Sequence, residues 1–447
     1  MRTYIKNYHK LNKFFVLLMD ILLVHAGYIL AYIIKFNFTF PKRNFLPYYN
    51  LIPEITIVVI LLFNIYGLYT ITMKSMSDIM FSLGIVLILL QFATVASTFF
   101  VRHFAFPRSI FIYAFFIQFI LLSLWRFSVL KVFRKLQGVK NILVIGQKDK
   151  AKIYAEKLHY ISKGWIDVKY VLPADNNEDI ENYMKKVDTV YIASEIEANK
   201  KTEIIKKAVE LKKHVFLVPD FRDILVSNSR FIYFDDVSTI SIEPPELTSE
   251  QRLIKRVCDI ILAFVCLVVA FPIMLLVAIA IKINSPGPII YKQKRVTEGE
   301  KEFYVLKFRT MVKDAEKMTG PVLATENDPR ITKVGRFLRA VRFDELPQLI
   351  NVLKGEMSFI GPRPERPYFV EQFKKQYPEY SIRHNVKAGI TGFAQVFGKY
   401  ATDTEDKLRL DLIYIKNYSV LLDIKILLLT LKTIFTKEAS EGIKKAG

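Results

Sequence analysis

The chain has little of what enzymes commonly use for metal, redox or triad chemistry. Its two cysteines, Cys258 and Cys266, share one apolar segment, so neither a disulfide framework nor a zinc site can be read from them, and packing is their expected role. The six histidines are scattered, with no H-x-x-x-H pair, which leaves His-based metal or triad chemistry without local support. Acidic residues are in deficit: 43 Asp and Glu face 64 Lys and Arg, a formal net charge of +21. Such an excess suits anionic lipid headgroups, a phosphorylated substrate or nucleic acid, and the long apolar runs decide against nucleic acid.

What is present is apolar sequence, 52% of 447 residues, in a chain long enough for two or three domains. The expected architecture is a membrane α plus α/β protein. It divides into four transmembrane helices (1–135), a Rossmann-like α/β domain (136–248) and an α/β catalytic domain (249–447). Four apolar runs, Phe14–Ile34, Leu51–Tyr69, Ile79–Phe100 and Ile110–Phe133, each approach the ~20 residues that a helix needs to cross a bilayer. The first lacks a small-residue cleavage site and so is not read as a signal peptide. Arg2, Lys6, Lys10 and Lys13 precede it, and Lys131, Arg134, Lys135 and Lys140 close the fourth, which places both ends in the cytoplasm. Asp20, His25 and Glu54 lie in or near the spans. An ionisable group there is a functional candidate or a bond to a neighbouring helix.

After residue 138 strand-like runs recur at 141–146, Ile166–Leu172, Val187–Ala193 and Val215–Pro219, with an amphipathic helix over Lys200–Lys212. This alternation predicts a parallel α/β sheet. A dinucleotide site would need a glycine-rich turn after the first strand. The sequence there is G-Q-K-D-K, with Gly146 alone, which argues for a structural or regulatory domain.

A fifth apolar segment, Val257–Ile283, carries Pro272 near its middle. There the ring deletes a helical hydrogen bond and a kink is expected. A kinked transmembrane helix is one reading. A re-entrant hairpin is favoured, because a crossing would export everything after 284, and both flanks are basic: Arg252, Lys255 and Arg256 before, Lys282, Lys292, Lys294 and Arg295 after. The run Tyr418–Phe435 is interrupted by Asp423, Lys425 and Lys432 and reads as an amphipathic helix on the interface.

Chemistry concentrates near RFDELPQL, residues 342–349. Arg330, Lys333, Arg336, Arg339 and Arg342 recur every third position and on a helix would form a slanting basic band. Asp344 is expected as a helix N-cap, with Glu345 and Pro347 in the first turn. A helix N-terminus beside arginines attracts anions and is expected to hold Asp344 ionised. A carboxylate next to bound phosphate is a metal ligand or a nucleophile, and Asp344 with Glu345 could supply both, with Mg²⁺ bridging carboxylate and phosphate oxygens. S-P-G-P (285–288) is a turn. Lys307 and Arg309 of K-F-R-T-M, on a strand, would point to one face. In G-P-R-P-E (361–365), Pro362 and Pro364 frame Arg363, a guanidinium preset to fork onto phosphate.

In order, KRVCD (255–259), NSPGP, KFRTM, DPRITKVGRFLR, DELPQLINVLKGEMSFIGPRPERP and KAGITGFAQV closely resemble the bacterial sugar transferases, the polyprenyl-phosphate hexose-1-phosphate or monotopic phosphoglycosyl transferases, over roughly residues 250–436. The four helices and α/β domain ahead of this stretch resemble the large subgroup. The resemblance implies transfer of a sugar-1-phosphate from a UDP-sugar to undecaprenyl phosphate with release of UMP, at the cytoplasmic face of the bacterial inner membrane. It implies that Asp344 is the nucleophile carrying a covalent phosphosugar, and that Glu345 binds Mg²⁺ or assists the lipid phosphate. Arg339 would hold phosphate, Arg363 would help seat the nucleotide, and Lys307 and Arg309 are further candidates. Val341, Arg342 and Phe343 depart from the small polar residues of many members. Homo-oligomerisation is left open. The rival reading is a non-enzymatic membrane regulator or scaffold of polysaccharide assembly.

Overall fold

The computed structural model describes residues 2–69, 74–102, 105–162, 164–175, 177–193, 195–312, 328–398 and 403–434. The chain divides into two compact units, Met1–Val218 and Pro219–Gly447.

The first unit opens with four long helices: α1 (Arg2–Phe36), α2 (Lys42–Ile65), α3 (Met76–Phe100) and α4 (Arg108–Gln137). α1 packs on α2 and α4, and α3 packs on α2 and α4. Polar side chains fix these contacts inside an otherwise apolar packing, as expected where no water can satisfy them. Asp20 of α1 forms a fully buried ion pair with Arg126 of α4. Arg126 lies inside a run that the sequence treats as uniformly apolar. The Tyr28 hydroxyl donates to Gln91 at 3.0 Å, Gln91 Nε2 donates to Gln118 Oε1 at 2.9 Å, and Gln118 Nε2 donates to the Val24 carbonyl at 3.0 Å. His25 bonds Tyr48 and Thr56 on α2, whereas Glu54 is exposed.

A parallel sheet follows: β1 (Lys140–Gly146), α5 (Lys148–Ser162), β2 (Ile166–Pro173), α6 (Asn177–Lys185), β3 (Thr189–Ile192), α7 (Ala198–Glu210) and β4 (His214–Leu217). Its strand order is β2-β1-β3-β4, the flavodoxin-type doubly wound order and not the 3-2-1-4 of a dinucleotide fold. Leu143, Ile145, Val190, Ile192 and Ile204 share its core. A Cβ on Gly146 would stand 2.6 Å from the Cβ of Ala193, so the lone glycine serves close packing of β1 on the residue after β3.

The second unit takes in residues ahead of 249, since Ile224 and Leu247 sit in its cores. It begins with α8 (Phe221–Val226) and the antiparallel hairpin β5 (Arg230–Phe234) and β6 (Val237–Ser241). Then comes α9 (Ser249–Asn284), with Pro272 inside it and not ending it. Next are the antiparallel pair β7 (Ile290–Val296) and β8 (Glu302–Phe308), α10 (Lys333–Ala340), α11 (Gln348–Lys354) and β9 (Ser358–Ile360). α12 (Pro367–Gln376), β10 (Gly389–Thr391), α13 (Phe393–Phe397), α14 (Thr404–Lys416) and α15 (Val420–Ile434) complete it. α15 occupies the stretch expected to be amphipathic; its last residue, Phe435, lies outside the described residues.

α9 is fastened at its start by charge. Lys255 bonds Asp423 of α15 at 2.6 Å, Asp259 accepts from the Ser358 hydroxyl and the Phe359 amide, and Arg256 donates to the Val352 and Leu353 carbonyls. Those carbonyls belong to the last turn of α11, where a cation is favoured. Its apolar contacts continue on both sides of Pro272: Ala263 packs with Phe303 and Val305 of β8 and Leu349 of α11, and Val277 and Ile281 pack with Phe308 and Leu338. Residues of one strand, β8, therefore share apolar clusters with both halves of the helix. The other face, including Phe264, Val268, Val269, Phe271 and Leu276, is exposed.

Candidate functional site

The acid pair lies between two short helices. The basic residues before it do not form one band: Arg330 is folded back onto Asp328, α10 carries Lys333, Arg336 and Arg339, and Arg342 stands beyond the helix in the left-handed region at φ 57°. That backbone setting turns the chain into a single 3₁₀ turn, Phe343–Glu345, and α11 starts only at Gln348, with Pro347 in front of it. Asp344 is thus in the turn and is not the N-cap expected from the sequence. A left-handed residue cannot continue a helix, and proline at the cap has no N–H to satisfy.

The two carboxylates are treated differently. Glu345 Oε1 accepts from Lys307 Nζ and from Arg363 at 2.9 Å each. Burial alone would raise its pKa, but Lys307 and Arg363, with Arg342 adding, hold the carboxyl far below the usual range. The Asp344 carboxylate makes no hydrogen bond among the described residues. Burial raises its pKa and the charge of Glu345 raises it further, while Lys307, Arg339 and Arg363 pull it down. The net direction is upward, opposite to the expectation from helix end and arginines alone, because desolvation and a like charge outweigh the three cations.

Lys307, Arg363 and Arg339 all act on the pair, and Arg339 is steadied by its Nε bond to Thr310 at 2.9 Å. Arg309 does not join them. It lies past the end of β8 and its buried guanidinium donates to the Ser285 and Pro286 carbonyls and to the Ser285 hydroxyl. Gly287, at φ 126°, leaves room for it: a Cβ there would stand 2.1 Å from Arg309 Nη1.

The proline-framed loop is held from behind by residues the sequence did not single out for this. Arg383, paired with buried Asp411 at 2.8 Å, also donates to the Arg363 carbonyl at 2.9 Å. Arg295 donates to the Pro364 carbonyl at 2.9 Å, and the Gly389 amide donates to the Pro362 carbonyl at 2.9 Å. Asn351, fully buried, accepts from the Leu306 amide and donates to the Tyr304 carbonyl and Glu356. It ties α11 to the strand that carries Lys307. An Asn in the otherwise apolar LINVL run was the one available signal, since a buried amide must be bonded.

Hard oxygen donors suit Mg²⁺, which commonly takes one or two carboxylates and otherwise substrate phosphates and water. The pair fits that pattern: Asp344 is unclamped, and the bonds to Lys307 and Arg363 leave Glu345 Oε2 unused by them. No cluster of three or more His, Cys, Asp or Glu occurs among the described residues, so such an ion would depend on substrate oxygens.

An acid pair ringed by cations in a chain with five helices long and apolar enough to cross a membrane defines a membrane-associated protein with a charged site. Residues 250–437 match the family described as bacterial sugar transferase. Similar proteins include a UDP-glucose:undecaprenyl-phosphate glucose-1-phosphate transferase of Escherichia coli K12, 39% identical over 57% of this chain and 56% of the relative. A UDP-N-acetylgalactosamine-undecaprenyl-phosphate N-acetylgalactosaminephosphotransferase of Aeromonas hydrophila is 46% identical over 41% and 44%. A UDP-glucose:undecaprenyl-phosphate glucose-1-phosphate transferase of Caulobacter vibrioides is 40% identical over 41% of this chain and 70% of its own length. The chain spans about half the length of the first two relatives. It belongs to the bacterial sugar transferase family.

Proposed function

We propose that the protein transfers a hexose-1-phosphate from a UDP-sugar to undecaprenyl phosphate, releasing UMP and forming the lipid diphosphate sugar that starts a surface polysaccharide. The observation that carries this reading is the division of labour in the pair: Glu345 is clamped by Lys307 and Arg363, while the Asp344 carboxylate beside it makes no hydrogen bond among the described residues. An Asp344 oxygen attacks the sugar-bearing phosphorus, the bond from that phosphorus to the bridging oxygen breaks, and UMP leaves with the bridging oxygen. An oxygen of the lipid phosphate then attacks the same phosphorus and the Asp344–phosphorus bond breaks, regenerating the carboxylate. Splitting the transfer in two lets the two phosphates use one pocket in turn. Lys307, Arg339 and Arg363 hold phosphate oxygens, and the Pro362 and Pro364 frame fixes Arg363. When bound, Mg²⁺ would supply charge neutralisation between these oxygens, held by Asp344 and Glu345.

The first four long helices form a four-helix transmembrane bundle in the inner membrane, with the catalytic unit in the cytoplasm. α9 enters one leaflet without crossing. Residues of strand β8 share apolar clusters with it before and after Pro272, and an open strand edge has no place in hydrocarbon. α15, exposing Leu421 and Ile424, lies on the same interface.

Purified protein with undecaprenyl phosphate, Mg²⁺ and a panel of UDP-sugars is expected to release UMP with one of them. Asp344→Asn should abolish release while folding is retained. Radiolabelled donor should leave an acyl-phosphate on the 342–349 peptide. UMP release by Asp344→Asn at the wild-type rate removes Asp344 from the mechanism, and no release from any donor favours a non-enzymatic scaffold.

A further inference from the structure

We propose that Tyr291 and Gln293 of β7 form the subsite that reads the hydroxyls of the donor's hexose, with Tyr291 the residue that discriminates between sugars. The inference rests on the reading of the protein as a transferase that uses a UDP-sugar. β7 and β8 are antiparallel, and Tyr291 lies directly opposite Lys307. Their side chains therefore leave the same face of the hairpin, about 5 Å apart at Cβ. The Lys307 ammonium bonds Glu345 at 2.9 Å, which puts Tyr291 next to a group that touches the acid pair.

Gln293 follows two positions along β7, on that same face. Its Oε1 accepts from Arg295 Nη2 at 2.7 Å and from Nε at 3.1 Å. A guanidinium can only donate, so this contact fixes which way the amide points, and Nε2 faces the Tyr291 hydroxyl at 3.4 Å. Arg295 is tied in turn to the Pro364 carbonyl and to Glu365. The row Tyr291, Gln293, Arg295 thus starts beside Lys307 and ends on the loop of Arg363, and Lys307 and Arg363 meet at Glu345 Oε1.

Charge decides which part of the donor this row serves. The cations around the acid pair suit the two phosphates. Tyr291 and Gln293 are neutral and half-buried, and each can both donate and accept. Such groups match hydroxyls and give no counter-charge to a second phosphate. The hexose is bonded to the phosphorus that Asp344 attacks, so it is the neutral portion of the donor nearest Lys307, whereas the uracil lies beyond a second phosphate and a ribose. The 3.4 Å bond between Gln293 and Tyr291 is the longest in the row, and a sugar hydroxyl can replace it at the smallest cost.

The test uses the full chain in detergent, the UDP-sugar that it accepts from a panel of UDP-glucose, UDP-galactose and their N-acetyl counterparts, and analogues of that donor lacking one hydroxyl at a time. In the unsubstituted protein one analogue should lose about tenfold in kcat/KM, the scale of one neutral hydrogen bond. Tyr291→Phe should lose about tenfold on the full donor and nothing further on that analogue, the coupling expected of two groups in contact. The preference between glucose and galactose donors should shrink with it. Inhibition by UDP, which has no hexose, should be the same in both proteins. Unsubstituted protein indifferent to every missing hydroxyl would overturn the proposal, and that measurement needs no variant to fold. Losses that simply add, or a Tyr291→Phe protein that binds UDP as poorly as the donor, would also overturn it, the latter by moving these residues to the nucleotide. Transfer by the unsubstituted protein with any of these results defeats this inference alone; no UMP from any UDP-sugar defeats the reading beneath it as well.

Discussion

At the scale of single residues, the opposite shifts of two neighbouring carboxyls make the pH profile a probe of the site. Asp344 must attack as the carboxylate, and its raised pKa means that this form is lost, on acidification, at a higher pH than the ordinary 3.8. The acid limb of kcat/KM should therefore lie above that value. Lys307→Met removes a cation that lowers the Asp344 pKa, so the limb should move to higher pH, by about one pH unit, with a reduced plateau. Glu345→Gln removes a like charge and should move the residual limb the other way. A limb unmoved by both substitutions would detach the rate from Asp344. Behind the site, Asp411→Asn would leave Arg383 buried without its counter-charge, a loss of about 3–5 kcal/mol, read as a fall in melting temperature. The Arg363 loop loses one of its backbone anchors with it.

At the scale of elements, the strands and helices of the α/β region were legible because buried parallel strands and amphipathic helices carry distinct periods. The expected strand 141–146 is β1, and the expected helix 200–212 is α7, two residues earlier at each end. Strand order was not legible, since it depends on which side of β1 the chain returns to after α6, and no local pattern encodes that. The same limit applies at the site. DELPQL reads locally as a capped helix, but the left-handed setting of Arg342 is unusual for a residue with a side chain and shortens the helix. In KRVCD, Lys255 and Arg256 were legible only as a basic flank and Asp259 only as part of a resemblance; they prove to be three separate polar ties from α9 to α15, α11 and β9. Arg309 shows how a strand-based inference fails at a strand end, where alternation stops applying. The turn it holds yields its own prediction. Gly287→Ala puts a methyl group where Arg309 Nη1 lies, at a φ that non-glycine residues avoid, and should destabilise the second unit by about 1–3 kcal/mol. Arg309→Lys, which cannot fork onto both carbonyls, should be destabilising in the same assay without shifting the acid limb.

At the scale of the whole molecule, the proposed reaction joins a water-soluble donor to an acceptor whose tail never leaves the bilayer, so the depth at which α9 sits decides whether the two can meet. A crossing helix would carry Asp344 to the side opposite residues before 249; a helix confined to one leaflet keeps both ends, and the pair, with the cytoplasmic pool of UDP-sugar. Ala263 and Val277, fourteen positions apart and about 20 Å along a helix, share apolar clusters with Phe303 and with Phe308 of β8 respectively. Accessibility labelling gives the direct measurement, in a chain carrying Cys258→Ser and Cys266→Ala so that α9 itself is silent. Single cysteines at exposed Glu250 and Lys292 should react with a membrane-impermeant maleimide only after the cytoplasmic face is opened, and should do so together. Reaction of one before the other, from the outer face of intact cells, would make α9 a spanning helix and would place the acid pair where no UDP-sugar is available to it.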